Sequence, residues 1–285
     1  MRLEWDKTGE RKYETGVSHG VLFVQSNLGT YPTGVAWNGL TAVTESPSGA
    51  ESNKQYADNQ VYVNLQSAEE WGGTIEAFTS PKAFDQCDGA AEVMPGVKIG
   101  QQTRKPFGFC YETLIGTDTE GTDAGKKIHV VWNALAAPSE KAYATVNDSP
   151  EAMALSWEVS TTATPVPGYK PSATMTFDST ELSAGKMQKI EDALYGTLVE
   201  PSHLPLPAEF IALLEGDEEV TPAVPTQLGN AITIHPTTGV IYSVSGTPVT
   251  GVYTLTANKT VVATADDGYV LAAAAPASWP FVYTP

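Results

Sequence analysis

Gly16-Val17-Ser18-His19-Gly20 is the stretch of this chain that matches a nucleophile-bearing motif, the strained strand-to-helix turn that lifts a serine into an active site. Such a turn needs a helix behind it. The next residues are Val21-Leu22-Phe23-Val24, a strand-like apolar run, so Ser18 is expected to be an ordinary strand residue. The four histidines, His19, His129, His203 and His235, include no pair at the i, i+4 spacing that aligns two imidazoles on a helix, and no metal site is expected. Asp118, Glu120 and Asp123, among Gly116, Gly121 and Gly125, have the texture of a calcium loop. They lack its fixed ligand order and closing bidentate glutamate, so an acidic turn between two strands is expected. No glycine-rich phosphate cradle is present, and no spacing singles out a working pair among the 33 acidic residues. Cys87 and Cys110 are too few for a disulfide scaffold, and Cys110 lies in an apolar strand pattern that suits a small buried hydrophobe. The expectation is therefore no catalytic residue, no cofactor, no metal and no enzyme.

Charge narrows the partners. The 285 residues carry a formal charge of −17; residues 1–200 hold 26 acidic and 15 basic side chains, and residues 201–285 hold 7 and 1. Tight nucleic-acid binding draws on lysine and arginine neutralising phosphates, whereas the basic groups here are as small as Arg104-Lys105 and Lys126-Lys127. Contact with DNA is expected to be weak or repulsive. No run of about 18 apolar residues appears, and Met1-Arg2-Leu3-Glu4-Trp5-Asp6 lacks the features of a secretion signal, so a cytosolic origin is expected. The sequons Asn147-Asp148-Ser149 and Asn258-Lys259-Thr260 would matter only in a secreted protein.

Periodicity predicts a β-dominated chain. Strands are expected at Val21–Val24, Val35–Glu45, Gln60–Leu65, Gly73–Thr79, Phe107–Ile115, Lys127–Leu135 and Ala152–Thr162, with Ala173, Met175 and Phe177 on one face of another. Phe107, Phe109, Tyr111 and Thr113 share a face; His129, opposite Ile128, Val130 and Trp132, is expected to point to solvent or an interface. Ser46–Asn59 reads as a long polar loop, and loops of that length tend to be functional or mobile. Ser183 is placed to cap a helix through Met187, Ile190 and Leu194 that ends at Gly196. Pro207, Phe210, Leu213 and Leu214 before Gly216 predict a second, shorter helix, followed by a linker, Gly216–Pro225. Beyond it, short alternating strands around Ile232, Ile234, Val240, Tyr242, Val244 and Val252–Thr256 suggest a small β-sandwich, closing with the aromatic stretch Tyr269–Tyr283. The expected domains are a core over residues 1–200, a helical connector over 201–217 and a C-terminal β domain over 218–285.

Several short motifs also carry a resemblance. Ala36-Trp37-Asn38-Gly39-Leu40 with Glu45-Ser46-Pro47, then Tyr56-Ala57-Asp58-Asn59, Gly73–Phe78, Cys87-Asp88-Gly89 and Gly100–Arg104 are similar, in wording and order, to the major tail tube protein of long-tailed (siphovirus-type) bacteriophages. Thr113–Gly116, Ile128–Val131 and Asn147–Glu151 continue it, so that residues 15–200 are covered. The C-terminal part resembles domains appended to such proteins. The resemblance implies a mainly β fold, with a tail-tube β-sandwich core that forms a barrel on assembly, one flanking helix and a small Ig-like C-terminal domain. It implies hexameric rings stacked into a tube, a place in the virion after assembly in the host cytoplasm, and contact with the tape measure, tail terminator and distal tail proteins. DNA would pass through the lumen without specific binding, and no membrane is involved. Tyr56, Asp58 and Asn59 are candidate subunit contacts, within or beside a loop expected to order against a neighbouring copy. The rival reading is a β-sandwich adhesin or carbohydrate-binding surface protein, motivated by the aromatics of Tyr269–Tyr283.

Overall fold

Alternating side chains turn most of the first 180 residues into strand. In chain order these are β1 (Lys12–Val24), β2 (Gly34–Trp37), β3 (Leu40–Glu45), β4 (Ser48–Gly49), β5 (Ser52–Ala57), β6 (Gln60–Gln66), β7 (Glu69–Glu70) and β8 (Gly72–Ala77). A 3-10 turn, Lys82–Gln86, precedes β9 (Ala91–Met94) and β10 (Val97–Ile99). The long strands β11 (Phe107–Thr117) and β12 (Gly121–Ala136) come next, then β13 (Leu155–Thr161) and β14 (Thr174–Asp178). The computed structural model describes residues 4–143, 145, 148, 152–215, 218–266, 268–272 and 275–284. These divide into two compact units, Met1–Glu181 with Ile190–Phe210, and Leu182–Lys189 with Ile211–Pro285. The chain is mainly β, as its periodicity predicts.

The first unit is an antiparallel sheet ordered β2-β1-β11-β12-β13-β8-β3, with β14 also paired to β12. Its two end strands, β2 and β3, are consecutive in the chain, with Asn38-Gly39 between them and Gly39 at φ 78°. The sheet therefore has to roll until its edges lie near each other. Trp37 on β2 accordingly meets Trp157 on β13 at 5.4 Å between ring centroids, and Phe84 and Phe109 complete the cluster. These rings lie with Leu22, Ile75, Phe107, Val131 and Val159 in one core inside the roll. The ladder does not continue from β2 to β3, so the roll is open.

The other face of the central strands is also apolar, because Cys110, Ile128, Val130 and Trp132 alternate with the inward set and are buried too. Against this face lie residues of α1 (Ala184–Tyr195) and α2 (Pro207–Glu215). Trp132 Nε1 donates to Pro205 O at 2.9 Å, and Phe210 meets both Trp132 and Phe177. Ile190 and Leu194 are fully buried. The single flanking helix expected of the core is thus joined by the first turn of a second.

In the other unit, β15 (Glu218–Val220), β16 (Thr226–Leu228), β17 (Ala231–Thr233), β18 (Val240–Val244), β19 (Thr247–Pro248) and β20 (Val252–Thr254) are followed by β21 (Lys259–Ala265), β22 (Tyr269–Leu271) and β23 (Ser278–Phe281). A β16-β17-β20 sheet and a β19-β18-β21-β23 sheet share a core of Ile232, Ile234, Tyr242, Val244, Leu255, Val261 and Ala263. Part of the expected linker is structured, since β15 pairs in parallel with β22; Gly216 and Asp217 lie outside the described residues. So do Asn147 and Ser149 of the first sequon, with Pro150 and Glu151 of the motif that contains it.

Three expectations need correction. The strand expected at Val21–Val24 begins at Lys12; bulges at Thr15/Ser18 and Ser18/Val21, with Gly16 and His19 at φ 74° and 52°, interrupt the alternation that periodicity would read. The strand expected over Val35–Glu45 is two, broken at Asn38-Gly39. Ser46–Asn59 is no loop: it holds β4 and β5, the rising half of an extended hairpin.

Candidate assembly surfaces

That hairpin is an arm. β4 and β7 pair at its base, and β5 and β6 pair beyond them. Asp58 and Asn59, at φ 51° and 64°, form the two-residue turn, and two left-handed residues give the type I′ twist that suits antiparallel strands. The register pairs Tyr56 with Val61, Gln55 with Val63 and Asn53 with Leu65, so Tyr56, Val61, Val63 and Leu65 share one face. Nothing among the described residues covers them: Tyr56 is 69 % exposed, Leu65 54 %, and Tyr62 on the opposite face 76 %. Of the three contact candidates, Tyr56 sits on the apolar face, and Asp58 and Asn59 make the tip.

A second hairpin has the same character. β9 and β10 turn through Pro95-Gly96, with Gly96 at φ 83°, and leave Val93, Met94, Val97 and Ile99 exposed. Ion pairs Lys82–Glu92 and Lys98–Asp85 tie it to the 3-10 turn. The hydrogen bond from Lys82, then that from the Gly96 N–H, holds the Glu92 carboxyl below its ordinary range. No ion pair among the described residues anchors the arm in this way.

The arm leaves the sheet beside a polar cluster. Glu45, the last residue of β3, accepts a 2.7 Å hydrogen bond from Tyr111 Oη, and the Tyr111 ring stacks on His129 at 4.7 Å with planes 5° apart. His129 Nε2 lies 3.0 Å from Thr113 Oγ1 and 3.3 Å from Glu14 Oε1, while Lys127 Nζ donates to Glu14 at 2.8 Å. Burial raises the Tyr111 phenol, and its bond to Glu45 raises it further. For Glu14, partial burial acts upward but is outweighed by Lys127 and Thr113, and its carboxyl lies below the ordinary value. Of the two settings expected for His129, solvent or an interface, the solvent one does not hold: the face opposite Ile128 and Val130 is the interior of the rolled sheet, and the side chain is 16 % exposed.

Ser18, His19 and Glu112 are not arranged as a relay. A cavity of about 570 Å³ lies between the bulged part of β1, the β2–β3 corner and the end of α1, lined by Val21, Trp37, Leu40, Leu194 and Tyr195 among others. Ser18 Oγ is 2.9 Å from His19 Nδ1, but Glu112 Oε1 lies 3.4 Å from that same nitrogen. A proton relay needs the nucleophile and the carboxylate on opposite ring nitrogens. Glu112, with its side chain 6 % exposed, instead pairs with Lys126 at 3.3 Å, and Lys126 also meets Glu191. Asp118, Glu120 and Asp123 fall at or beside the β11–β12 turn, where Asp118 accepts the Gly9 N–H at 2.9 Å. Both cysteines are buried, and burial pushes the Cys87 thiol up to about 12.

The C-terminal aromatics face inward. Trp279, Phe281 and Tyr283 pack against the core of the second unit, with Trp279 6.2 Å from Tyr242, so they offer no flat exposed platform for a sugar ring. Sequence reasoning missed the exposed apolar residues of β6 and of β9–β10. The β6 signal was present in Val61, Val63 and Leu65 alternating after Asp58-Asn59, a two-residue turn with a strand on either side.

No family model matches the chain, and no curated protein matches it. Among solved structures it is similar to a chain of the anti-feeding prophage baseplate, seen by cryo-electron microscopy. Identity is 9 % over 61 % of this chain and 97 % of that one, with a TM-score of 0.30. It is also similar to a chain of the sheath-tube complex of an extracellular contractile injection system in its extended state. Here identity is 12 % over 62 % of this chain and 94 % of that one, with a TM-score of 0.26. Likenesses at these TM-scores do not establish a shared fold.

Proposed function

We propose that this chain is a structural subunit that assembles with copies of itself into hexameric rings, stacked as the tail tube of a long-tailed phage through which the genome is delivered. The observation that carries the reading is the pair of hairpins, β5–β6 and β9–β10, whose apolar side chains and outer edges lack partners among the described residues. Exposed apolar hairpins are a liability in a monomer, and joining edges between copies satisfies the free backbone groups while covering the side chains. Six-fold number, stacking, and the tape measure, tail terminator and distal tail partners come from the resemblance of residues 15–200. Tyr56, Asp58 and Asn59 are assigned to the contact between copies, and residues 218–285 to a decoration on the tube. The acidic balance suits a lumen past which DNA slides without sticking.

Negative-stain microscopy of the purified chain, with and without a tail initiator complex, tests the reading. Hollow tubes of uniform width are expected. Excising Ser52–Gln66 while preserving the β3–β8 pairing is expected to abolish them and leave a folded monomer by circular dichroism. Normal tubes from the excised chain would remove the arm from assembly, and a permanent monomer under every nucleating condition would overturn the function.

A further inference from the structure

The Gln60–Gln66 strand, Gln-Val-Tyr-Val-Asn-Leu-Gln, has no charge, no proline and no glycine. All seven residues are exposed, and the strand belongs to a two-stranded sheet, so its outer edge has no partner among the described residues. Val61, Val63 and Leu65 form a dry-capable face, and Gln60, Tyr62, Asn64 and Gln66 form the other. This is the composition from which identical strands build a cross-β stack, with amide ladders and stacked aromatic rings on one face and interdigitated aliphatics on the other. Natural edges carry charges that forbid such pairing. The second hairpin has them, Glu92 on β9 and Lys98 on β10, both held in ion pairs. β6 has none.

We propose that Gln60–Gln66 is a homotypic pairing strand: in a chain not yet assembled it docks in register on Gln60–Gln66 of a second copy and seeds a cross-β fibre. The occupant is another copy because charge selects the meeting place. Molecules carrying −17 repel one another, and a neutral segment on a projecting hairpin is where two can approach at least cost. The same argument sets the conditions: pairing is suppressed at pH 7 in low salt and released near the isoelectric point of about 4.5, or at pH 7 once salt screens the body charge. This inference goes beyond the tube reading and does not rest on it.

The test uses the full chain at pH 7 in low salt, at pH 7 in ~0.5 M salt, and at pH 4.5. Thioflavin T kinetics, fibre diffraction, and mass spectrometry of the protease-resistant core are the readouts. Fibres with a spacing of about 4.7 Å and a protected core containing residues 60–66 are expected in the second and third conditions. Val63→Lys, at a 40 % exposed position, is expected to lengthen the lag about tenfold while thermal unfolding stays unchanged. Val97→Lys on β10 is expected to leave the lag as it was. Absence of fibres in all conditions, a protected core elsewhere in the chain, or a Val63→Lys lag equal to wild type would overturn the proposal. Tubes are scored separately by microscopy, so their absence from the unaltered chain under nucleating conditions, with fibres still formed, speaks against the tube reading alone.

Discussion

Glu112 shows how a buried charge is held by its neighbours. It lies against His19 and Lys126, and Lys126 bridges on to Glu191, so one ammonium serves two carboxylates. Lys126→Met would strand both. A loss of about 3 kcal/mol in urea unfolding is expected, below the upper range for removing one partner of a buried pair because the Lys126 side chain is a third exposed. Two of the shifted groups show how stability follows pH. Burial acts downward on Lys126, but its contacts with Glu191 and Glu112 outweigh that and raise it above the ordinary 10.5. A raised folded value gives stability that is complete below the unfolded value and lost as pH climbs through the folded one. Glu14 lies below the ordinary 4.5, so its contribution is complete above that value and lost as pH falls through the folded one. The contributions of these two groups to the urea midpoint are therefore expected to fall away above about pH 10.5 for Lys126 and below about 4.5 for Glu14. Glu14→Gln should flatten the acid limb and Lys126→Met the alkaline limb.

At the scale of elements, the arm depends on its turn. Asn59→Val puts a β-branched residue at a left-handed position, and a local cost of about 1–2 kcal/mol is expected. Amide exchange across β5 and β6 should speed up while the thermal midpoint of the body stays put. Gly73 is constrained differently. A Cβ there would lie 2.6 Å from the backbone oxygen of Thr44, so Gly73→Ala is expected to loosen the β3–β8 pairing and lower the global midpoint. The helix was legible from sequence because its signals are local: Ser183 Oγ accepts the Lys186 N–H at 3.3 Å, and Gly196 closes α1 at φ 78°. The arm was not. Ser52, Asn53, Lys54 and Gln55 are polar on both faces, so a hairpin exposed on both sides gives no contrast between alternate residues. His129 was assigned to the right face but its low solvent exposure was not legible, because strand period fixes sidedness and not which side a rolled sheet encloses. For the contact candidates, the Tyr56, Asp58 and Asn59 positions were legible as a cluster, and their place at a hairpin tip was not.

The whole molecule is governed by charge and topology. At −17, approach of two copies is opposed over a distance set by ionic strength, about 30 Å at 0.01 M and about 8 Å at 0.15 M. The rate of self-association, followed by light scattering, is expected to rise steeply across that interval; an unchanged rate would mean that the contacting surfaces do not feel the body charge. Topology acts on a different clock. The central hairpin β11–β12 joins neighbours in sequence, whereas β1 finds β11 across roughly a hundred residues, as in Lys12 opposite Thr117. Local pairings form early and distant ones late. During synthesis the amino-terminal strand can pair early with β2, but its other edge must wait on the ribosome until β11 has emerged. A chain interrupted before residue 107 keeps β1 with β2 as its one neighbour and leaves the other edge of that first-made strand open.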